Sequence, residues 1–73
     1  MAALPVVSGR DAVKAFERLG WTVARQNSSH IIMVHPDQNA TLSIPDHHEV
    51  ARGTLRSLIR HANLTVDEFV AVL

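Results

Sequence analysis

The sequence predicts an α+β domain of order α-β-β-β-α, with a three-stranded antiparallel sheet and a short C-terminal helix. Three observations point to it. Segments toward the two ends place apolar residues at helical spacing. Between them, three segments alternate apolar and polar residues or form β-branched runs. The strands are joined only by short polar clusters of Asn, Asp, Ser, Gln and Pro, which suit the tight connections of an antiparallel meander. Two helices would then cover one face of that sheet and leave the other face, or one end, free for a ligand.

Ser8, with Asp11 three residues on, is a capping box that opens the first helix. Ala12, Val13, Phe16 and Leu19 form its apolar face, and Lys14, Glu17 and Arg18 lie opposite. Gly20 is its C-terminal stop. Residues 21–25 alternate as a strand with Trp21 and Val23 on one side, and Gln26-Asn27-Ser28-Ser29 is a polar turn. Residues 30–35 form a second strand whose Ile31-Ile32-Met33-Val34 run is apolar on both faces, as a central strand would be. After a turn at Pro36-Asp37-Gln38-Asn39, residues 41–44 place Leu42 and Ile44 toward the core before Pro45 ends the strand.

A polar connection from Asp46 to Gly53 contains His47-His48. The second helix then has Thr54 near its start and a stripe of Leu55, Leu58, Ile59 and Ala62, with Asn63 as its C-terminal residue. Thr65 and Glu68 form another capping box ahead of Phe69, Val70 and Leu73. The predicted core packs Trp21, Val23, Leu42 and Ile44 beneath Phe16, Leu58 and Ile59.

Composition narrows the function classes. At 73 residues the chain is one domain, residues 1–73, with a modest core. Apolar residues at 47% against 19% charged mark a globular chain. The absence of cysteine excludes disulfides and thiolate metal sites. No apolar run reaches membrane-spanning length, and the N-terminus lacks the pattern of a signal peptide, so the expected location is cytoplasmic. Seven basic and seven acidic residues cancel, so bulk charge does not announce a nucleic-acid binder. Six of the seven basic residues are arginine, whose planar fork suits phosphate but whose abundance also follows from a GC-rich genome.

The chemistry-bearing residues are the five histidines, His30, His35, His47, His48 and His61. They could be solvated loop and strand-end residues, metal ligands, or acid–base catalysts. Metal ligation is disfavoured, since no H-E-x-x-H spacing, cysteine or clustered carboxylate set is present, and no cofactor is expected. Acid–base work suits histidine, which exchanges protons near neutral pH. RNA supplies its own 2′-hydroxyl nucleophile, so a base and a charge-stabilising arginine suffice. Arg52, Arg56 and Arg60 recur every four residues, either as a phosphate-contacting edge or as a solvated helix flank. Trp21 and Phe16 sit on apolar faces and belong to the core rather than to base stacking.

Several segments resemble one family. Ser28-Ser29-His30 is similar to the glycine-serine-histidine motif of HicA-type (YcfA-like) mRNA interferase toxins, and Val34-His35-Pro36-Asp37 to the strand end that follows it. Pro45-Asp46-His47 and then Arg52-Gly53-Thr54-Leu55-Arg56-Ser57-Leu58-Ile59-Arg60 resemble the family's proline-x-histidine and glycine-threonine-leucine helix start. Ala62-Asn63-Leu64-Thr65 with Glu68-Phe69 resembles its close, so the likeness spans about residues 8–73. It implies a double-stranded-RNA-binding-domain-like fold, metal-independent cleavage of mRNA, and neutralisation by a HicB-like antitoxin. It maps the catalytic histidine onto His30, with Ser28, Ser29, Arg52, Arg56 and Arg60 on the RNA and His47 and His35 as candidate assistants. Ser28 departs from the family's glycine. If that glycine serves a positive φ or a close approach of RNA, the substitution reshapes the site. Two alternatives to a nuclease remain: a non-catalytic RNA-binding module of the same fold, and a regulatory protein whose only ligand is its antitoxin.

Overall fold

The computed structural model describes residues 3–73. It contains α1 (Gly9–Arg18), β1 (Thr22–Gln26), β2 (His30–His35), β3 (Gln38–Pro45), α2 (Arg52–His61) and α3 (Val66–Val70), in the predicted order. The three strands form one antiparallel sheet in the order β1-β2-β3, with β2 central.

Local chemistry sets the helix ends. The Ser8 hydroxyl accepts from the Asp11 N–H at 3.0 Å, and the Asp11 carboxylate accepts from the Ser8 N–H at 3.3 Å, which completes the capping box of α1. Thr65 and Glu68 do the same for α3, at 3.1 and 2.9 Å. At the far end of α1 the Trp21 N–H donates to the Phe16 carbonyl and the Gly20 N–H to that of Glu17, a Schellman closure with Gly20 at φ 97°. α2 closes the same way: Leu64 donates to Ile59 and Asn63 to Arg60, with Asn63 at φ 61°. Its start lies at Arg52, two residues before Thr54, and Ala51 caps it without a side-chain hydrogen bond.

The core lies between the helices and one face of the sheet. Phe16, Trp21, Met33, Leu42, Ile44, Leu55, Ile59 and Phe69 are its largest fully buried side chains. Phe16 packs edge-on to Trp21 at 6.5 Å between ring centroids and lies 5.0 Å from Phe69. Leu4, Val7 and Val50 also contribute to the core. The Val50 N–H donates to the Val7 carbonyl and Arg52 Nε to that of Leu4, so the N-terminal segment is strapped beside α2.

Three expectations need correction. Val23 pairs with Met33 on the helix side, yet it is 44% exposed, because β1 is an edge strand with nothing beyond it. β2 is central but buried on one face only. Ile31 and Met33 face the helices, whereas Ile32 is half-buried and Val34 is 39% exposed on the side that no element covers. β3 begins at Gln38 rather than at residue 41, so the β2–β3 turn shrinks to Pro36-Asp37. None of the helices is long and apolar enough to cross a membrane, among the described residues.

Candidate functional site

His30 opens β2 and pairs with Pro45, the last residue of β3. Ile31 and Ile44, the next pair along, are both buried toward the helices, so alternation puts His30 on the uncovered face. The turn before it is built by Asn27, whose Oδ1 accepts the N–H groups of Ser29 at 3.1 Å and His30 at 2.9 Å. The Asn27 N–H in turn donates to the His30 carbonyl at 3.0 Å. This closed loop leaves Ser28 and Ser29 exposed and holds the half-buried His30 at the sheet's end.

Ser29 Oγ lies 3.0 Å from His30 Nδ1. In the tautomer whose Nδ1–H donates to that hydroxyl, Nε2 carries the lone pair that accepts a proton. Ser28 does not occupy the left-handed region, where Asn63 is the one non-glycine residue among those described. A serine therefore fits this turn without the strain that a positive φ would impose.

The β3–α2 connection closes on the same end. The Asp46 N–H donates to the Ser29 carbonyl at 2.9 Å. The Asp46 carboxylate accepts from Arg10 and Gln26, each at 3.3 Å, which links the start of α1 and the end of β1 to the loop. The Gly9 N–H donates to the His47 carbonyl at 2.8 Å. Gly9 lies so close to the Pro45 carbonyl that a side chain there would collide with backbone. Ser8, Arg10, Asp46, His47 and His48 thus come to line one hollow of about 600 Å³. Arg10 did not stand out in the sequence as a site residue, and His48 was one of the five chemistry-bearing histidines but was given no role. Arg10 lies 36 residues from Asp46, so only the folded chain brings them together.

The remaining candidates lie elsewhere. His35 ends β2, about 17 Å along the strand from His30 at ordinary strand rise. Its ring packs edge-on to Trp21 at 5.3 Å, and its Nδ1 accepts the Asp37 N–H at 3.1 Å, so it serves the core and the turn. Arg52 begins α2 at the His30 end of the molecule and holds the Leu4 carbonyl through Nε at 3.0 Å. Arg56 and Arg60 are exposed, and Arg60 sits about 12 Å further along the helix, toward the opposite end. His61 is tied to the Ser57 carbonyl at 2.8 Å. Among the described residues no three of His, Cys, Asp or Glu gather as metal ligands would.

The family model for the HicA toxin of bacterial toxin-antitoxin matches residues 9–64. The chain belongs to the HicA toxin family. The match runs from the start of α1 through the closure of α2, and so covers the Ser28–His30 turn, the 45–48 connection and the arginine row. Residues 65–70, α3 with its cap, lie outside it. A search of curated proteins returns no match to the chain. Membership in this family makes the protein the toxin of a toxin–antitoxin pair, which implies an antitoxin partner.

Proposed function

We propose that this HicA-family toxin is a metal-independent endoribonuclease that cleaves mRNA with His30 as general base. The observation that carries this reading is the pairing of Ser29 Oγ with His30 Nδ1 at 3.0 Å on a ring that stands at the uncovered end of the sheet. His30 Nε2 takes the proton of the RNA 2′-hydroxyl, and the 2′-oxygen attacks the adjacent phosphorus. The P–O5′ bond breaks, and the departing 5′-oxygen receives a proton from a general acid. The products are a 2′,3′-cyclic phosphate and a free 5′-hydroxyl.

His47 is our candidate for that acid, since its loop is pinned to the Ser29 carbonyl through Asp46. Ser28 and Ser29 line the approach of the scissile phosphate. Arg52, Arg56 and Arg60 meet phosphates further along the strand, where their planar forks suit the ligand. We assign His35 no part in the reaction. A HicB-like antitoxin silences the enzyme by covering His30.

The deciding experiment compares wild type with His30→Ala in induced cells and with purified protein on a transcript. The wild type is expected to arrest growth and cleave RNA, and the variant to do neither while staying folded. A folded His30→Ala protein that still cleaves RNA would remove His30 from the mechanism.

A further inference from the structure

The hollow at the His30 end of the sheet carries more than the base mechanism uses. Its walls hold one guanidinium and two imidazoles, from Arg10, His47 and His48, with a single carboxylate, Asp46. That carboxylate is already engaged. It is shared between Arg10 and Gln26 at 3.3 Å each, and its side chain keeps only 23% of its surface exposed. The Arg10 side chain is 68% exposed and spends one N–H on Asp46, so the rest of its fork points to solvent. The Gly9 N–H is taken by the His47 carbonyl, and the Ser8 hydroxyl accepts from the Asp11 N–H while keeping its own O–H. The side-chain donors that face a ligand here are therefore Arg10, His47, His48 and the Ser8 hydroxyl.

The hollow also has a fixed relation to His30. The Asp46 N–H donates to the Ser29 carbonyl, and the Ser29 hydroxyl meets the His30 ring. Both therefore lie at the same end of the sheet, the hollow on the α1 side and His30 on the uncovered face, so a strand whose scissile phosphate lies at His30 reaches this wall by rounding that end. We propose that the hollow at the junction of α1 and the β3–α2 loop is a second phosphate subsite for RNA, with Arg10 as its principal cation and His47 and His48 flanking it. The proposal rests on the RNA-cleaving reading above and adds which substrate atoms the start of α1 holds. Anchoring a second phosphate fixes the direction of the strand across His30, so the 2′-hydroxyl rather than the 5′-oxygen faces the base.

The test measures binding of a short, fully 2′-O-methylated oligoribonucleotide, which cannot be cleaved, across a salt series. Arg10→Gln is expected to weaken binding about fivefold, the upper range for an exposed charge pair. It should also flatten the slope of log affinity against log salt by about 0.7, one single-strand phosphate contact. An uncharged methylphosphonate walked along the oligonucleotide should weaken wild type at one position and Arg10→Gln not at all there. His48→Asn, on the loop rather than the helix, should show a smaller loss at the same position. Lys14→Gln removes an exposed cation of α1 outside the hollow and should leave the positional effect intact. The subsite is overturned if Arg10→Gln keeps the wild-type affinity and slope, or if Lys14→Gln abolishes the positional effect equally. If His30→Ala stops cleavage while Arg10→Gln binds as wild type, the subsite alone falls. Wild type that binds no RNA refutes both readings.

Discussion

At the scale of single residues, the proposed mechanism gives chemistry to His30 and packing to His35. His30 is half-buried at a strand end, so His30→Ala should abolish cleavage and change stability by no more than about 1 kcal/mol, measured by denaturant melts. His35→Ala should do the reverse. It removes an edge-on partner of the buried Trp21 and a turn acceptor, and should cost about 1 kcal/mol while cleavage persists. Loss of cleavage in a stable His35→Ala protein would return it to the mechanism. The histidine count in the sequence could not make this distinction. Both residues bracket one strand, and only their neighbours, Ser29 for one and Trp21 for the other, distinguish them. Ser28 was ambiguous for a related reason: its consequence depends on a backbone angle that residue type alone does not fix.

At the scale of elements, capping and closure signals were legible because they are local. Ser8 with Asp11, Thr65 with Glu68, Gly20 and Asn63 each act within a few residues of their helix end. Two glycines show where locality stops. Gly20 takes φ 97°, and a Cβ there would come within 2.7 Å of His35 Nε2. Gly20→Ala should therefore destabilise by about 1–3 kcal/mol, read as a fall in melting temperature. Gly9 has no positive φ, but α1 rests its first turn on the Pro45–Asp46 backbone there. Gly9→Ala should push α1 off the loop that carries His47, so cleavage should fall further than the loss of stability explains. A Gly9→Ala protein destabilised but fully active at low temperature would show the contact to be structural only. Strand limits were less legible. Trp21 closes α1 instead of starting β1, and β3 reaches back to Gln38 because its turn needs only two residues.

For the whole molecule, the helices share one side of the sheet and leave the other uncovered, with His30, Ile32 and Val34 along β2. An antitoxin that silences the toxin by occlusion should bury this face. Histidine modification of the complex should then spare His30 while the isolated toxin reacts there. A silenced complex whose His30 still reacts would point to inhibition from a distance. Cleavage should also persist in chelator, because no three metal-ligating side chains come together among the described residues. Activity lost in EDTA and restored by a divalent ion would overturn the proposed mechanism. Arg56→Ala should flatten the salt dependence of RNA binding by about 0.7 per lost contact, and Arg60→Ala, toward the far end, by less.

By itself, the sequence determined the element order, the antiparallel meander, the helix caps and closures, and the resemblance that singled out His30. All of these depend on periodicity and short-range hydrogen bonds, which residue order encodes directly. Tertiary structure alone decided which apolar residues are covered. Val23 and Val34 fit a core by pattern, but two helices cannot cover an edge strand and both faces of a sheet. It also decided the company that His30 keeps. The hydrogen bonds of Asp46 to Ser29, Gln26 and Arg10, and of Gly9 to His47, join segments far apart in the chain. Such contacts carry no periodic signal, because they exist only once the sheet and α1 have set the distances between them.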